Sequence, residues 1–486
     1  MAKHINPKEI TTLGQLRQNG YQSKSIKDEL RDNLITQLKN DTTSFEGIIG
    51  YEHTVLPQLQ RAILSKHNIN LLGLRGQAKT RIARSLVSLL DEWIPIVKDS
   101  EINDDPLNPI SKYAKELISE KSNDTPIEWL HRDKRFFEKL ATPDVTVADL
   151  IGDVDPIKAA NLKLSYADER VIHYGMIPRA HRSIFVINEL PDLQARIQVA
   201  LFNILQEGDV QIRGFQVRMP LDLQFIFTAN PEDYTNRGSI VTPLKDRIGS
   251  QILTHYPEDI EISKQITLQE AKINPNLKEK IYISELAQTL LEQINFEARN
   301  SEYIDSKSGV SARMSITAYE NLMSAAELRL LKTGDSTTQI RMEDFLGIIP
   351  SITGKVELVY EGEQEGAEKV ALILLGNAIK STFPTYFTEI KKLSNPNTFD
   401  HFDNILSWFV ERSNYEIATD LPNEIYAQTI NEIEPLNDII KEYQPNLSKE
   451  DTLFYKEFLL WGLVEYDKLS KNRYNKGFEF IDNLLN

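Results

Sequence analysis

Ile69-Asn70-Leu71-Leu72-Gly73-Leu74-Arg75-Gly76-Gln77-Ala78-Lys79-Thr80 decides how this chain folds. An apolar run ends at Gly73, a second glycine follows at Gly76, and Lys79-Thr80 opens a helical pattern that reaches about Leu90. A strand, a glycine turn and a helix make the opening of a βαβ unit. Gly-x-x-Gly-x-x-Lys-Thr in that setting is a phosphate-binding loop. Backbone N–H groups of such a loop converge on phosphate oxygens and the helix start adds positive potential. Lys79 then reaches the terminal phosphates and Thr80 ligates Mg2+. Ala78 stands where a glycine is usual; a normal conformation at the helix start accommodates it, with less room left at the phosphates.

Downstream, Ile184-Phe185-Val186-Ile187-Asn188-Glu189 is an apolar strand ending in a polar pair. In ATPases with such a loop, the neighbouring strand end carries an acid that holds Mg2+ through water. A glutamate that orients the attacking water follows it. Glu189 fits the second role. Asn188 occupies the first: its amide oxygen can accept from metal-bound water but brings no negative charge, which weakens magnesium affinity. Taken alone, the pair reads as a helix cap.

A third strand, Phe225-Ile226-Phe227-Thr228-Ala229-Asn230-Pro231, ends in an asparagine that can reach a γ-phosphate or the lytic water. Singly, Asn230 before Pro231 is a turn signal. Arg247 lies at the end of a short helix after that strand, from which it can project towards a neighbouring subunit's nucleotide. Arg313 opens a later helix, from which it can fold back on the phosphates. Each arginine by itself reads equally well as a surface salt bridge. It is the order of all these elements that gives them meaning.

The 486 residues exceed what one compact core usually holds, so one large domain with smaller ones attached is expected. A hydrophobic content of 41% with 26% charged residues leaves no reason for wholesale disorder. No apolar run is long enough to cross a bilayer and the N-terminus lacks a secretory stretch, which points to the cytoplasm and to no membrane partner. The absence of cysteine excludes disulfides, thiolate zinc sites and cysteine nucleophiles. A net charge of −16 disfavours broad binding to nucleic acid.

The pattern divides the chain into an N-terminal helical extension (1–44), a phosphate-loop core (45–256), a helical lid (257–350) and a C-terminal helical region (351–486). Within the core, a stretch at about 93–142 rich in Asp, Pro, Lys and Glu interrupts the strand–helix alternation. It is expected as a surface insertion with short helices around Ser111 to Ser119 and Arg132 to Leu140. A helix is expected from about Asp192 to Gln206 and a hairpin over Val210 to Met219. Three apolar strands separated by helices argue for an α/β fold with a parallel sheet covered on both faces.

In this order the elements resemble the AAA+ ATPases, and more narrowly the magnesium chelatase I subunit and its MoxR-like relatives. Phe45-Glu46-Gly47-Ile48-Ile49-Gly50 is similar to that group's adenine-pocket signature. Asn103-Asp104-Asp105-Pro106 resembles the loop after its first helix. Asp149 to Asp155 and Gly175 to Arg182 match the segment where this clade inserts a hairpin into its second helix. The resemblance covers roughly Phe45 to Leu331, and the tail from Glu357 looks like bacterial chelatase-like ATPases. It implies an αβα core, a helical lid, a hexameric or heptameric ring of this chain, and ATP sites shared between subunits. By the same implication Ile48, Ile49, Gly73, Arg75, Gly76, Gln77, Ala78, Lys79, Thr80 and Arg81 bind ATP, and Thr80 and Asn188 hold Mg2+. Glu189 positions water, Asn230 is a polar sensor, Arg247 an arginine finger acting in trans and Arg313 a second sensor.

The function this implies is ATP hydrolysis that remodels a partner, with a von Willebrand factor A domain protein as a candidate, as MoxR-like and chelatase I-like proteins do. A second reading, motivated by Asn188, is a nucleotide-gated scaffold that hydrolyses slowly. A sigma-54-type transcriptional activator shares the core, but carries a Gly-Ala-Phe-Thr-Gly-Ala loop where this chain reads Leu164-Ser165-Tyr166-Ala167-Asp168-Glu169.

Overall fold

A computed structural model describes residues 9–42, 45–166, 168–212, 218–231, 239–388, 401–412, 415–418, 420–474 and 477–482. The chain forms two compact units, Met1–His255 and Tyr256–Asn486.

Strands of the first unit are, in chain order, β1 (Ile69–Leu72), β2 (Trp93–Val97), β3 (Ile127–His131), β4 (Phe136–Leu140), β5 (Gly152–Val154), β6 (Ile172–Tyr174), β7 (Ser183–Asn188), β8 (Asp209–Gln211), β9 (Arg218–Pro220), β10 (Leu223–Ala229) and β11 (Ser250–Leu253). Five of them make a parallel sheet in the order β11-β1-β10-β7-β4. The central strands are apolar along most of their length because both faces are covered. Side chains alternate between the faces. Ile69, Leu71, Val186 and Ile226 enter a core with α2 (Ile26–Lys39), α3 (Val55–Leu64) and α4 (Lys79–Ser85). Phe185, Ile187, Phe225 and Phe227 enter the opposite core, with Ile177, Ile197 and Leu201.

The sheet is wider than the three expected strands, and the reason is at its edges. Phe136–Leu140, expected within a short helix, is the edge strand β4, preceded by a single 3-10 turn at Arg132–Lys134. Apolar residues at 136, 137 and 140 suit a helix turn as well as a half-covered strand, and pairing with β7 decides between them. The interrupting stretch is therefore only partly an insertion. It comprises the antiparallel pair β2–β3, the helix Lys112–Lys121 capped by Ser111, and then a strand of the main sheet. The helix expected from Asp192 to Gln206 is broken into Ala195–Ala200 and Phe202–Gln206. β8 and β9 pair antiparallel at the expected hairpin, whose tip, residues 213–217, lies outside the described residues. β5 and β6 pair antiparallel as well.

The N-terminal segment is part of this unit's core rather than an appendage. α1 (Leu13–Gln18) buries Leu13 and Leu16 with Ile127, and α2 buries Ile26, Leu30 and Leu34 against the sheet.

The second unit contains the helices Glu285–Asn300, Arg313–Thr333, Ala367–Tyr386 and Lys449–Glu465. Residues on both sides of position 350 share one core, with Leu290, Leu322 and Phe345 in the same cluster as Leu374, Phe383 and Phe458. Helices Ala367–Tyr386 and Lys449–Glu465 approach so closely that a Cβ on Gly462 would overlap the Phe383 ring. The short strands β12 (Ile281–Tyr282) and β13 (Thr338–Gln339) pair parallel. β14 (Tyr415–Ala418), β15 (Leu469–Tyr474) and β16 (Gly477–Asp482) form an antiparallel sheet in the order β14-β16-β15, an element absent from the helical expectation. Among the described residues no helix is long and apolar enough to cross a membrane.

Candidate functional site

The register of the parallel sheet gathers the candidate residues at one edge. Leu72 of β1 pairs with Ala229 of β10, and the Gly73 N–H donates to the Ala229 carbonyl at 3.1 Å. The loop therefore leaves the sheet directly beside Asn230. Phe227 pairs with Ile187 of β7, which sets Thr228 beside Asn188 and Glu189. Open parallel sheets bind ligands outside the carboxyl ends of their strands, and these residues line that edge.

The loop's course depends on two positive-φ residues, Gly76 at 75° and Ala78 at 55°. The sequence predicts an ordinary helix-start conformation at Ala78. The structure instead places it in the left-handed region that the missing glycine would occupy without strain. Gly73 is required for space, since a Cβ there would collide with Thr254 Oγ1 and Gln77 Oε1. Gln77 is buried and held at both ends: Thr254 Oγ1 donates to its Oε1 at 2.7 Å and Tyr51 Oη donates to its carbonyl at 3.1 Å. Tyr51 Oη also lies 2.7 Å from the His255 carbonyl, tying the segment after Gly50 to the loop. Ile48 is buried in the core with Phe45 and Tyr51, and Ile49 is half-exposed.

Lys79, half-exposed, donates from Nζ to the Leu74 carbonyl at 2.9 Å, to Asn230 Oδ1 at 2.7 Å and to the Gly73 carbonyl. Thr80, Arg75 and Arg81 are half-exposed in the loop and the first turn of α4. Glu189 follows β7 directly, at a φ of 56°. Non-glycine residues held there carry local strain, which proteins concentrate at functional positions. Its N–H donates to Thr228 Oγ1 at 3.1 Å. Thr228 Oγ1 donates in turn to Asn188 Oδ1 at 3.1 Å, and Asn188 Nδ2 donates to Glu138 Oε1 at 2.6 Å.

Lys79, Thr80, Asn188, Glu189 and Asn230 are thus brought to one edge; the two arginines are placed differently. Arg247 ends the helix Thr242–Arg247, where its guanidinium donates to Gln206 Oε1 at 2.7 and 3.0 Å and to the Pro243 carbonyl at 2.7 Å, over the Phe202 ring. Arg313 is exposed at the first turn of Arg313–Thr333 in the second unit.

A nucleoside triphosphate with Mg2+ fits these residues by one specific test. The ammonium of Lys79 sits among oxygen acceptors at the sheet edge, where phosphate oxygens would substitute for carbonyls, and Thr80 adjoins it on the helix. Among the described residues no group of three or more histidine, aspartate or glutamate side chains gathers as a metal site, so a cation here would rely on Thr80, Asn188 and the phosphates themselves.

Sequence reasoning missed Tyr51, Thr228, Thr254 and Glu138. Thr228 lies within a stretch already singled out and Tyr51 directly after one, where an aromatic just past Gly50 is a usable signal. Thr254 and Glu138 gave none, because each acts through a contact far away in the chain.

A family model described as AAA domain (dynein-related subfamily) matches residues 126–248, a span that holds Glu138, Asn188, Glu189, Asn230 and Arg247. Among solved structures, NtrX from Brucella abortus in complex with ADP is similar at 14% identity, covering 72% of this chain and 66% of that one, with a TM-score of 0.37. The complex between subunits BchI and BchD of magnesium chelatase is similar at 18% identity, covering 66% and 98%, with a TM-score of 0.36. Thermotoga maritima RuvB is similar at 13% identity, covering 94% and 97%, with a TM-score of 0.35.

Proposed function

We propose that this chain, which carries an AAA domain, binds ATP with Mg2+ at the carboxyl edge of its sheet and hydrolyses it in a ring of its own copies to remodel a partner protein. The observation that carries the reading is the Lys79 Nζ to Asn230 Oδ1 contact of 2.7 Å, with Glu189 directly after the adjacent strand. In this reading Gly73 to Arg81 embrace the phosphates and Ile48 and Ile49 flank the adenine. Thr80 and Asn188 hold the cation, which when bound neutralises charge on the phosphates. Glu189 orients the attacking water and accepts its proton, and Asn230 fixes the terminal phosphate from the neighbouring strand. Arg247 of an adjacent copy exchanges its Gln206 contact for a phosphate oxygen, and Arg313 is the second sensor that the family resemblance implies. A von Willebrand factor A domain protein is the partner implied by the chelatase and MoxR-like resemblance. Steady-state phosphate release from wild type and Glu189→Gln tests hydrolysis. Magnesium-dependent release confined to wild type is expected; no excess over the variant sinks the reading.

A slowly hydrolysing, nucleotide-gated scaffold is the second reading, favoured by the uncharged Asn188 and the strained Ala78. Sedimentation with ATP separates the two. Wild type that assembles with ATP and stays assembled for hours, without appreciable phosphate release, is a scaffold.

A further inference from the structure

The Glu138 carboxylate accepts a hydrogen bond from the metal-binding candidate Asn188, and it comes from a strand the sequence does not reveal. Glu138 pairs with Val186 across the parallel ladder, and Leu140 pairs with Asn188. The side chains of 138, 186 and 188 therefore share the face covered by α4. Arg84 of α4 reaches Glu138 Oε2 at 2.6 Å and lies 5.9 Å from the centre of the Phe136 ring, which confirms that the helix runs over β4. Thr80 is one turn before Arg84, on the same helix face.

A carboxylate only accepts hydrogen bonds, so the Asn188 amide must turn its NH2 towards Glu138 and its oxygen towards Thr228. A hydrogen-bonded chain results, from the Arg84 guanidinium through Glu138, Asn188 and Thr228 to the backbone of Glu189. The amide oxygen keeps a second lone pair for a metal-bound water, in an orientation that Glu138 dictates.

We infer that Glu138 is a positioning residue that supplies, through Asn188, the negative charge an aspartate at 188 would have brought, and that Arg84 tempers that charge. Glu138 and Asn188 together then do the work of one acid. This rests on the nucleotide reading above, and deepens it.

The test is a magnesium titration of a fluorescent ADP on the full-length chain, read as binding rather than turnover. Glu138→Gln is expected to raise the half-saturating magnesium concentration about tenfold, the size typical of residues that orient a metal ligand. Its affinity for ADP in EDTA should be no weaker than that of wild type, since removing a carboxylate does not repel phosphate. Asn188→Asp alone should bring no gain, because two carboxylates at hydrogen-bond distance share a proton. Combined with Glu138→Gln it should restore the wild-type titration. Arg84→Ala, at an exposed position, should lower the half-saturating concentration and serves if Glu138→Gln fails to fold.

Unchanged magnesium dependence in Glu138→Gln or Arg84→Ala overturns the inference, as does a half-saturating magnesium concentration in Asn188→Asp clearly below that of wild type. Equal weakening with and without magnesium would make Glu138 merely structural, which also overturns it. Wild type that binds no nucleotide under either condition brings down the nucleotide reading itself, and is distinguished by that.

Discussion

The ammonium of Lys79 donates to Oδ1 of Asn230 across 151 residues of chain, at 2.7 Å. The contact exists because β1 and β10 are parallel neighbours whose register sets Leu72 against Ala229. An asparagine placed there contributes where charge develops on a terminal phosphate more than where ADP sits. Asn230→Ala should therefore lower turnover by about 10- to 100-fold, the worth of a hydrogen bond to a charged group, while ADP affinity stays close to wild type. Phosphate release and an ADP titration check this. Equal loss in both would assign Asn230 to ground-state binding instead.

Ala78 holds a φ of 55°, which costs a side-chain-bearing residue about 1–2 kcal/mol. Glycine removes that strain but adds about 0.4–1 kcal/mol of unfolded-state freedom. Ala78→Gly should thus stabilise the first unit by about 0.5–1 kcal/mol and tighten nucleotide binding. Thermal denaturation with and without ADP measures both, and a destabilised glycine variant would contradict the strain.

Glu29 of α2 and Arg135 just before β4 are both buried and meet through two hydrogen bonds of 2.6 and 2.7 Å. The Asp91 N–H also donates to Glu29, at 2.6 Å, and Arg135 Nε donates to the Arg182 carbonyl at 2.9 Å. Removing one member leaves an uncompensated buried charge, so Glu29→Ala should cost about 3–5 kcal/mol. Replacing both, as Glu29→Leu with Arg135→Met, should recover much of that. Urea denaturation of the three variants decides; a mild single mutant would mean that water reaches the pair.

Burial pushes the carboxyl of Glu457 up from 4.5 to about 7, against the pull of the Arg341 guanidinium. Between those values the folded chain keeps a proton that the unfolded chain has released. Stability therefore falls as pH rises through this window, and the loss is complete above it. Glu457→Gln should flatten that slope and raise the stability of the second unit at pH 8 by up to about 3 kcal/mol. Denaturation at pH 5 and pH 8 reads the effect. An identical slope in the variant would place its origin elsewhere.

Much of this architecture is legible in local sequence. β1, β7 and β10 announce themselves because a strand covered on both faces must be apolar almost throughout. The loop is legible because glycine, lysine and threonine at fixed spacing are demanded by backbone geometry and phosphate chemistry. The edge strands are not: β4 mixes Phe136 and Phe137 with Glu138 and Lys139, a composition that serves a helix equally well. Nor does polar α2, with Glu29 and Arg31 in its first half, show that it belongs under the sheet.

The sequence by itself determined that a phosphate-binding loop leaves a buried strand and which residues follow it in order. Only the tertiary structure decided that Ala78 is strained, that Asn188 faces a carboxylate and that Lys79 meets Asn230. The division has a physical cause. Propensity and periodicity act over a few residues and are written in neighbours, whereas strand register and helix packing join residues far apart in the chain, and no local pattern encodes those contacts.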